Sequence, residues 1–136
     1  MQVNPYLNFN GNCKEAFAFY EKVLGAKTEM MQTHGESPMA DKVPPNWKDA
    51  VIHARLRIGD AILMASDYPP DSYHKPEGFY VSLQVDKPAD AERIFNALAE
   101  NGSVHMPVQE TFWAARFGML ADRFGTPWMV NCDKPT

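Results

Sequence analysis

The feature that most constrains the fold of this sequence is a strand-and-helix pattern that occurs twice, 74 positions apart. Tyr6 to Asn10 alternates polar and apolar residues and leads into a helical pattern that ends near Ala26. Tyr80 to Gln84 repeats the alternation, and a second helical pattern follows as far as Asn101. Alternate residues of a strand face opposite sides of a sheet. Both strands are therefore predicted to face a helix on one side and to carry polar and aromatic residues on the other.

The two helical patterns also match each other after a one-residue insertion. Their apolar residues have the 3, 4 and 7 spacing of an amphipathic helix; they are Ala16, Phe19, Tyr20 and Val23 in the first copy and Ala91, Ile94, Phe95 and Leu98 in the second. Asn12 with Glu15 predicts a capping box, and Gly25 predicts the end of the first helix. Pro88 suits the first turn of the second helix and Gly102 its end. We favour true duplication over the general similarity of any two α/β units.

Three further strands are predicted in the first copy, over 27–34, 50–58 and 61–66, with Gly59-Asp60 as a hairpin turn. Pairing Ile58 with Ala61 divides the hairpin into two faces. The helix-facing residues are then Ile52, Ala54, Leu56, Leu63 and Ala65, and the opposite residues are His53, Arg55, Arg57, Ile62, Met64 and Ser66. The second copy has the same order, with strands over 104–110, 114–122 and 127–132. Each half is therefore predicted to be βαβββ.

The predicted fold class is α+β: two tandem βαβββ modules whose curved mixed sheet encloses a concave cavity. One domain of 136 residues is expected, with module one over 1–68, a proline-rich linker over 67–78 and module two over 78–136. The segment 35–47 carries three prolines and a glycine and is predicted to be a surface loop, either plain or acting as a lid over the cavity.

Charge and composition argue against several classes of partner. The net charge is −4 and the pI about 5.5, with no cluster of lysine or arginine, so a nucleic-acid partner is not expected. No apolar run of about 18 residues and no signal-peptide pattern occurs, so we expect a soluble, cytoplasmic protein without a membrane partner. Cys13 and Cys132 form neither a disulfide framework nor a metal motif. For Cys13, an inert thiol is favoured over one activated by the helix N-terminus.

Three segments carry a family resemblance: PYLNFNGNCKEAFAFYEKVLGA (5–26), AVIHARLRIGDAILMASD (50–67) and QETFWAARFGMLADRFGTPWMVN (109–131). Together they resemble the PhnB-like branch of the vicinal oxygen chelate superfamily, which also holds glyoxalases, bleomycin-resistance proteins and extradiol dioxygenases. The resemblance implies paired βαβββ modules, a U-shaped concave sheet that holds the ligand, and commonly a homodimer. It also implies, for the enzymes of the superfamily, a divalent metal in the concavity.

The positions of the superfamily's metal ligands do not carry metal-binding side chains here. Carried over by the resemblance, the first-strand positions fall near Tyr6 and Tyr80, and the last-strand positions near Met64 and Met129. Hard and borderline divalent cations prefer carboxylate and imidazole donors. We therefore expect neither a metal nor another cofactor.

The expected function is the binding of a small organic ligand, without a metal, in the concave cavity. The predicted cavity residues are Tyr6, Asn8, His53, Arg55, Met64, Tyr80, Ser82, Glu110, Trp113, Phe117 and Met129. Two alternatives stay open: a metal-dependent, glyoxalase-like lyase or isomerase with a site relocated to His53 and Glu110, and a binding protein that sequesters an antibiotic. Whether the protein is an enzyme is left undecided by the sequence.

Individual roles are predicted for several of these residues. His53 is expected to be a hydrogen-bonded wall histidine rather than a general base, and Arg55 to contact the ligand. Arg57 is expected to pair with Glu110 or Asp122. Trp128 is expected in the helix-packing core, whereas core and cavity are equally favoured for Trp113 and Phe117.

Overall fold

The chain, in a computed structural model that describes residues 1–135, divides into two compact units, Met1–His74 and a second that begins at Lys75. Each unit holds one α-helix and four strands. Each sheet is mixed, with one parallel pair of strands and two antiparallel pairs. The predicted α+β class and the βαβββ order of each half are confirmed.

The first unit contains β1 (Tyr6–Phe9), α1 (Cys13–Leu24), β2 (Lys27–Thr33), β3 (Val51–Ile58) and β4 (Ala61–Asp67). Its strand order is β1-β4-β3-β2, and Ile58 pairs with Ala61 as predicted. The segment between β2 and β3 forms three short 3-10 turns, at His34–Glu36, Ala40–Lys42 and Pro45–Trp47.

The second unit contains β5 (Val81–Gln84), α2 (Pro88–Ala99), β6 (Ser103–Gln109), β7 (Ala114–Ala121) and β8 (Pro127–Asp133). Its strand order, β5-β8-β7-β6, is the order of the first unit shifted by four strands. The repeated topology is what the duplicated sequence pattern predicts.

The core of each unit lies between its helix and one face of its sheet. In the first unit Leu7, Phe9, Ala54, Leu56 and Leu63 are 0–2 % exposed. The rings of Phe9 and Phe17 lie nearly perpendicular, with their centroids 6.5 Å apart. Burying a side chain of this size contributes about 1.5–3 kcal/mol. The predicted alternation of buried and exposed residues along β4 is incomplete, because Ile62 and Ser66 on the opposite face are also buried.

The buried stripe of α1 differs from the predicted one. It consists of Cys13, Ala16, Phe17 and Tyr20, and Phe19 lies only half-buried at its edge. The stripe keeps the predicted spacing but sits nearer the start of the helix. In α2 the buried residues are Ala91, Phe95 and Leu98, which were predicted.

The cap of α1 is a carboxylate from another strand, not the predicted capping box. Asn12 occupies the N-cap position but its side chain makes no capping hydrogen bond. Instead the backbone N–H of Cys13 donates to Oδ1 of Asp67 at 2.9 Å, and the N–H of Val51 donates to Oδ2 at 2.8 Å. A charged acceptor gives stronger hydrogen bonds than an amide. Asp67 therefore joins the ends of α1, β3 and β4.

The glycine predicted to end α2 has another role. The helix ends at Ala99, and the left-handed residue after it is Asn101, with φ of 60°. A Cβ at Gly102 would collide with the carbonyl oxygen of Ala121. Gly102 is thus required by close backbone packing against β7, whereas Gly25 does end α1 with a φ of 65°.

No helix within residues 1–135 is long and apolar enough to cross a membrane.

Candidate functional site

The open face of the first sheet, opposite α1, brings five predicted residues together. The register aligns Tyr6 of β1 with Met64 of β4, and Met64 with Arg55 of β3. Asn8 and His53 lie two positions along their strands from Tyr6 and Arg55, and so on the same face. This placement follows from strand alternation and the hairpin register.

A tyrosine and a histidine touch on this face. The hydroxyl oxygen of Tyr6 lies 3.0 Å from Nδ1 of His53, and the two rings are stacked at 5.7 Å. With the imidazole proton on Nε2, the hydroxyl donates to Nδ1; with the proton on Nδ1, the imidazole donates to the hydroxyl oxygen. In either tautomer the contact fixes the orientation of the ring. The hydrogen bond of His53 is as expected, and its place in the wall of a ligand site stays a prediction.

The two arginines of β3 share one carboxylate, Glu29. Nε of Arg57 lies 2.7 Å from Oε2 of Glu29, and Nε of Arg55 lies 3.9 Å from Oε1. Glu29 is the extra residue at a register shift between Thr28 and Met30, and such bulges redirect side chains. Arg57 is therefore paired as predicted, but its partner is Glu29 and not Glu110 or Asp122. Arg55 stays 41 % exposed and only loosely paired.

The second unit holds the other predicted residues: Ser82, Phe117 and Met129 lie in strands, and Tyr80, Glu110 and Trp113 lie next to strand ends. Ser82 of β5 pairs with Met129 of β8. The hydroxyl of Tyr80 lies 2.7 Å from Nδ1 of His105. His105 was not among the predicted residues, because β6, unlike the hairpin, lacked a register that would place it.

The aromatic residues of the second unit separate into core and surface. Trp128 is fully buried and its indole N–H donates to Oδ2 of Asp122 at 2.9 Å, as its predicted core position requires. Phe117 is 9 % exposed and Trp113 is 47 % exposed. The rings of Trp113 and Phe117 meet at 5.2 Å.

The donors of this chain do not fit the superfamily's metal site. The positions implied for its ligands hold Tyr6, Met64, Tyr80 and Met129, whose side chains offer phenol and thioether groups. Glu110 pairs with Lys134 at 3.7 Å. Within residues 1–135 no three His, Cys, Asp or Glu side chains are placed to hold a metal ion together.

Cys13 lies at the start of α1 and is fully buried. Burial, and to a lesser extent the nearby charge of Asp67, raises the pKa of its thiol well above the ordinary value. A protonated, inaccessible thiol is unreactive. The interpretation of Cys13 as an inert residue is supported, and activation by the helix N-terminus is wrong.

Sequence reasoning missed a cavity of about 510 Å³ in the first unit. One wall comes from the 3-10 segment and the other from the residues after β4; these walls include Val43, Pro44, Trp47, Tyr68, Pro69 and Pro70. None of the eleven predicted residues lines this cavity. A smaller cavity of about 150 Å³ in the second unit is lined by Tyr80 and His105. The proline-rich composition of 35–47 and 67–78 was the one sign of this cavity in the sequence. Composition alone does not tell which residues of two irregular segments lie next to each other.

A family model described as the Glyoxalase/Bleomycin resistance protein/Dioxygenase superfamily matches residues 2–130. This chain belongs to that superfamily. The vicinal oxygen chelate resemblance and the predicted fold are thereby confirmed.

Three proteins are similar to this chain over nearly its whole length. Protein YjdN of Escherichia coli K12 is 38 % identical, over 98 % of this chain and 97 % of the relative. The crystal structure of protein PA1353 from Pseudomonas aeruginosa is 54 % identical, with a TM-score of 0.89 over 99 % of both chains. The PhnB protein from Bacillus cereus shares the fold at 20 % identity, with a TM-score of 0.79 over 97 % of this chain and 99 % of that one.

Proposed function

We propose that this superfamily member binds a small organic molecule, without a bound metal, on the open face of the first unit's sheet. The observation that carries the proposal is the Tyr6–His53 contact beside the loosely paired Arg55. Tyr6 and Met64 supply apolar contact area there, while the other residues supply hydrogen bonds. Ligand sites generally combine apolar walls with a few fixed polar groups.

The first unit supplies the ligand's polar contacts in this proposal. Arg55 favours a carboxylate, phosphate or similarly polarised group, because a guanidinium binds such groups through paired hydrogen bonds. His53, oriented by Tyr6, supplies a hydrogen bond through Nε2, and Asn8 supplies an amide. The second unit has a more apolar candidate surface of its own, which we propose as a separate contact surface; its residues are Tyr80, Ser82, Glu110, Trp113, Phe117 and Met129.

The metal-free part of the proposal rests on the donor set. A glyoxalase-like lyase or isomerase would need three or more ligands around the metal. His53 has its Nδ1 next to Tyr6, and Glu110 is paired with Lys134. Sequestration of an antibiotic is the second alternative. It would use the same binding site and, unlike an enzyme, would leave the ligand chemically unchanged.

A thermal-shift screen of small carboxylates, phosphonates and aromatic acids tests the proposal, with His53→Ala and Arg55→Ala as test variants. His74→Ala is the matched control, because His74 is an exposed histidine outside the strands. We expect stabilising ligands whose effect is lost in the two test variants and kept in the control.

The same protein, purified without chelator, is analysed for its metal content. Its melting temperature is then measured with Mg, Mn, Fe, Co, Ni and Zn ions in turn. We expect no stoichiometric metal and no shift in melting temperature. About one metal ion per chain, with a rise in melting temperature of the size that mass action requires, would favour the metal-dependent alternative. Ligands unaffected by both test variants would place binding elsewhere. Recovery of an unchanged ligand after binding would favour sequestration over turnover.

A further inference from the structure

Three methionines form a row across the sheet of the second unit. Met106 of β6 pairs with Met119 of β7, and Met119 pairs in turn with Met129 of β8. Paired residues of neighbouring strands carry their side chains on the same face of a sheet, and the strands are about 4.8 Å apart. The row therefore places three thioether groups side by side.

The row lies on the face of the sheet opposite α2. Gly118, next to Met119, packs against the ring of Phe95 in α2, and Val130, next to Met129, is fully buried. Because side chains alternate between the two faces of a strand, the methionines point away from the helix. All three are half-buried, so an ion can reach their sulfur atoms from the solvent.

A fourth donor, the imidazole of His105, lies beside the row. The register shift between Val104 and Met106 makes His105 the extra residue of a bulge in β6. Its Nδ1 lies 2.7 Å from the hydroxyl oxygen of Tyr80, two positions before Ser82, which pairs with the row. Histidines that bind metals commonly use one ring nitrogen for the ion and the other for a hydrogen bond that fixes the ring. The contact with Tyr80 has this form and leaves Nε2 for an ion.

The chemistry of these donors indicates the kind of ion. Thioether groups are soft ligands and select soft ions such as Cu(I), whereas Mg, Ca and Mn ions prefer carboxylate, carbonyl and water oxygens. All four donors are uncharged, so they offer no opposite charge to a divalent ion. A methionine side chain has three rotatable bonds and can adapt its shape, so sulfur atoms from neighbouring strands can turn towards one ion.

We propose that Met106, Met119, Met129 and His105 form a site for a soft monovalent cation, Cu(I) or its analogue Ag(I). Tyr80 is a positioning residue that orients the imidazole. The site differs from the one that the superfamily resemblance implies, because only Met129 lies near a ligand position of that site. It is also independent of the ligand site proposed on the first unit, because all four donors belong to the second. The divalent ions screened above are not expected to bind here.

The test is a titration of the protein with silver nitrate in a chloride-free buffer, followed by NMR of the methionine methyl groups. Each resonance is assigned from its absence in the corresponding Met→Leu variant. We expect the resonances of Met106, Met119 and Met129 to shift together and to saturate at one silver ion per chain. Those of Met30 and Met64 in the first unit should stay in place. An anaerobic titration with Cu(I) against a competing chelator should give the same stoichiometry.

Three variants test the donor set. Met119→Leu keeps the volume of the side chain but removes the sulfur. It should weaken silver binding at least about tenfold, because losing even a group that only orients a metal ligand costs about 10–100-fold. Tyr80→Phe should weaken binding about tenfold, through the orientation of His105. Met39→Leu removes an exposed thioether of the first unit and should bind silver like the wild type.

The thiols of Cys13 and Cys132 are the competing soft ligands, although both are buried. Silver binding should therefore persist in the Cys13→Ala/Cys132→Ala protein, and its loss there would overturn the proposal. The proposal is also overturned if the three methyl resonances do not shift with silver. Equal affinities of Met119→Leu and the wild type, or the same shifts with one equivalent of Zn²⁺, would overturn it as well.

Discussion

Two buried carboxylates, Asp67 and Asp122, each connect groups that the sequence separates. Asp67 accepts from Cys13 and Val51, whereas Asp122 accepts the backbone N–H groups of Phe124 and Thr126 and the indole N–H of Trp128. Both side chains are buried, and both are hydrogen-bonded through both oxygens. A buried carboxylate is stable only when it is compensated in this way.

Replacing Asp67 by Ala should destabilise the protein strongly. The change leaves two buried backbone N–H groups unpaired, and each costs about 1–3 kcal/mol. We expect the free energy of unfolding to fall by about 2–6 kcal/mol, measured by urea denaturation. Asp71→Ala, at an exposed position shortly after β4, is the control and should change it by less than about 0.5 kcal/mol. Equal losses in the two variants would contradict the capping role.

The buried thiol of Cys13 should make the protein less stable at alkaline pH. Its pKa is raised in the folded state, so above its ordinary value of 9.0 the unfolded chain binds fewer protons than the folded chain. The free energy of unfolding is therefore unaffected by this group below that pH and falls above it, by up to about 1.4 kcal/mol per pH unit. Cys13→Ala should reduce this slope, measured by urea denaturation at a series of pH values. Parallel slopes in wild type and variant would argue against the prediction.

Among helices and strands, the sequence predicts correctly those features that depend on the local periodicity of apolar residues. The hairpin of β3 and β4 has the predicted register, because Ile58 and Ala61 flank a two-residue turn. The cap of α1 was predicted wrongly, because the acceptor is supplied from a strand 54 residues later. Glu29 was not predicted to be the partner of Arg55 and Arg57, because a β-bulge cannot be recognised from the alternation of polar and apolar residues. The 510 Å³ cavity was missed because its walls are irregular segments.

Gly118 allows α2 to pack closely on β7. A Cβ at this position would lie 2.6 Å from Cε2 of Phe95 and 3.0 Å from the Cα of Val108. Gly118→Ala should therefore lower the free energy of unfolding by about 1–3 kcal/mol through overpacking. In a Phe95→Leu background the same change should cost less, because the clashing ring is gone. A double-mutant cycle by chemical denaturation measures this coupling, and simple additivity would show that Phe95 is not the obstacle.

At the scale of the whole molecule, two units of the same topology lie in one chain of 136 residues. The second unit also exposes large apolar side chains, with Phe112 at 88 % and Trp113 at 47 % exposure and their rings in contact at 4.8 Å. Exposed aromatic clusters of this kind often mark binding surfaces between proteins. This observation adds to the homodimer that the superfamily resemblance implies.

We expect a homodimer in solution, measured by light scattering over a range of concentrations. Phe112→Ser should shift the equilibrium towards the monomer, because it removes an aromatic side chain from the surface. Met39→Ser, which changes an exposed apolar residue of the first unit, is the control and should leave the dimer intact. A wild-type protein that is monomeric at working concentrations would contradict the expectation.

The carboxylate of Asp67 also sets an order of events while the chain is being made. The first turn of α1 begins at Cys13, yet its acceptor is synthesised 54 residues later. At about 5–20 residues per second, the ribosome takes roughly 3–11 s to add that length. During this interval the N–H of Cys13 lacks the acceptor that it has in the folded protein. The cap of α1 and the pairing of β1 with β3 through β4 can therefore be completed only after β4 has been made.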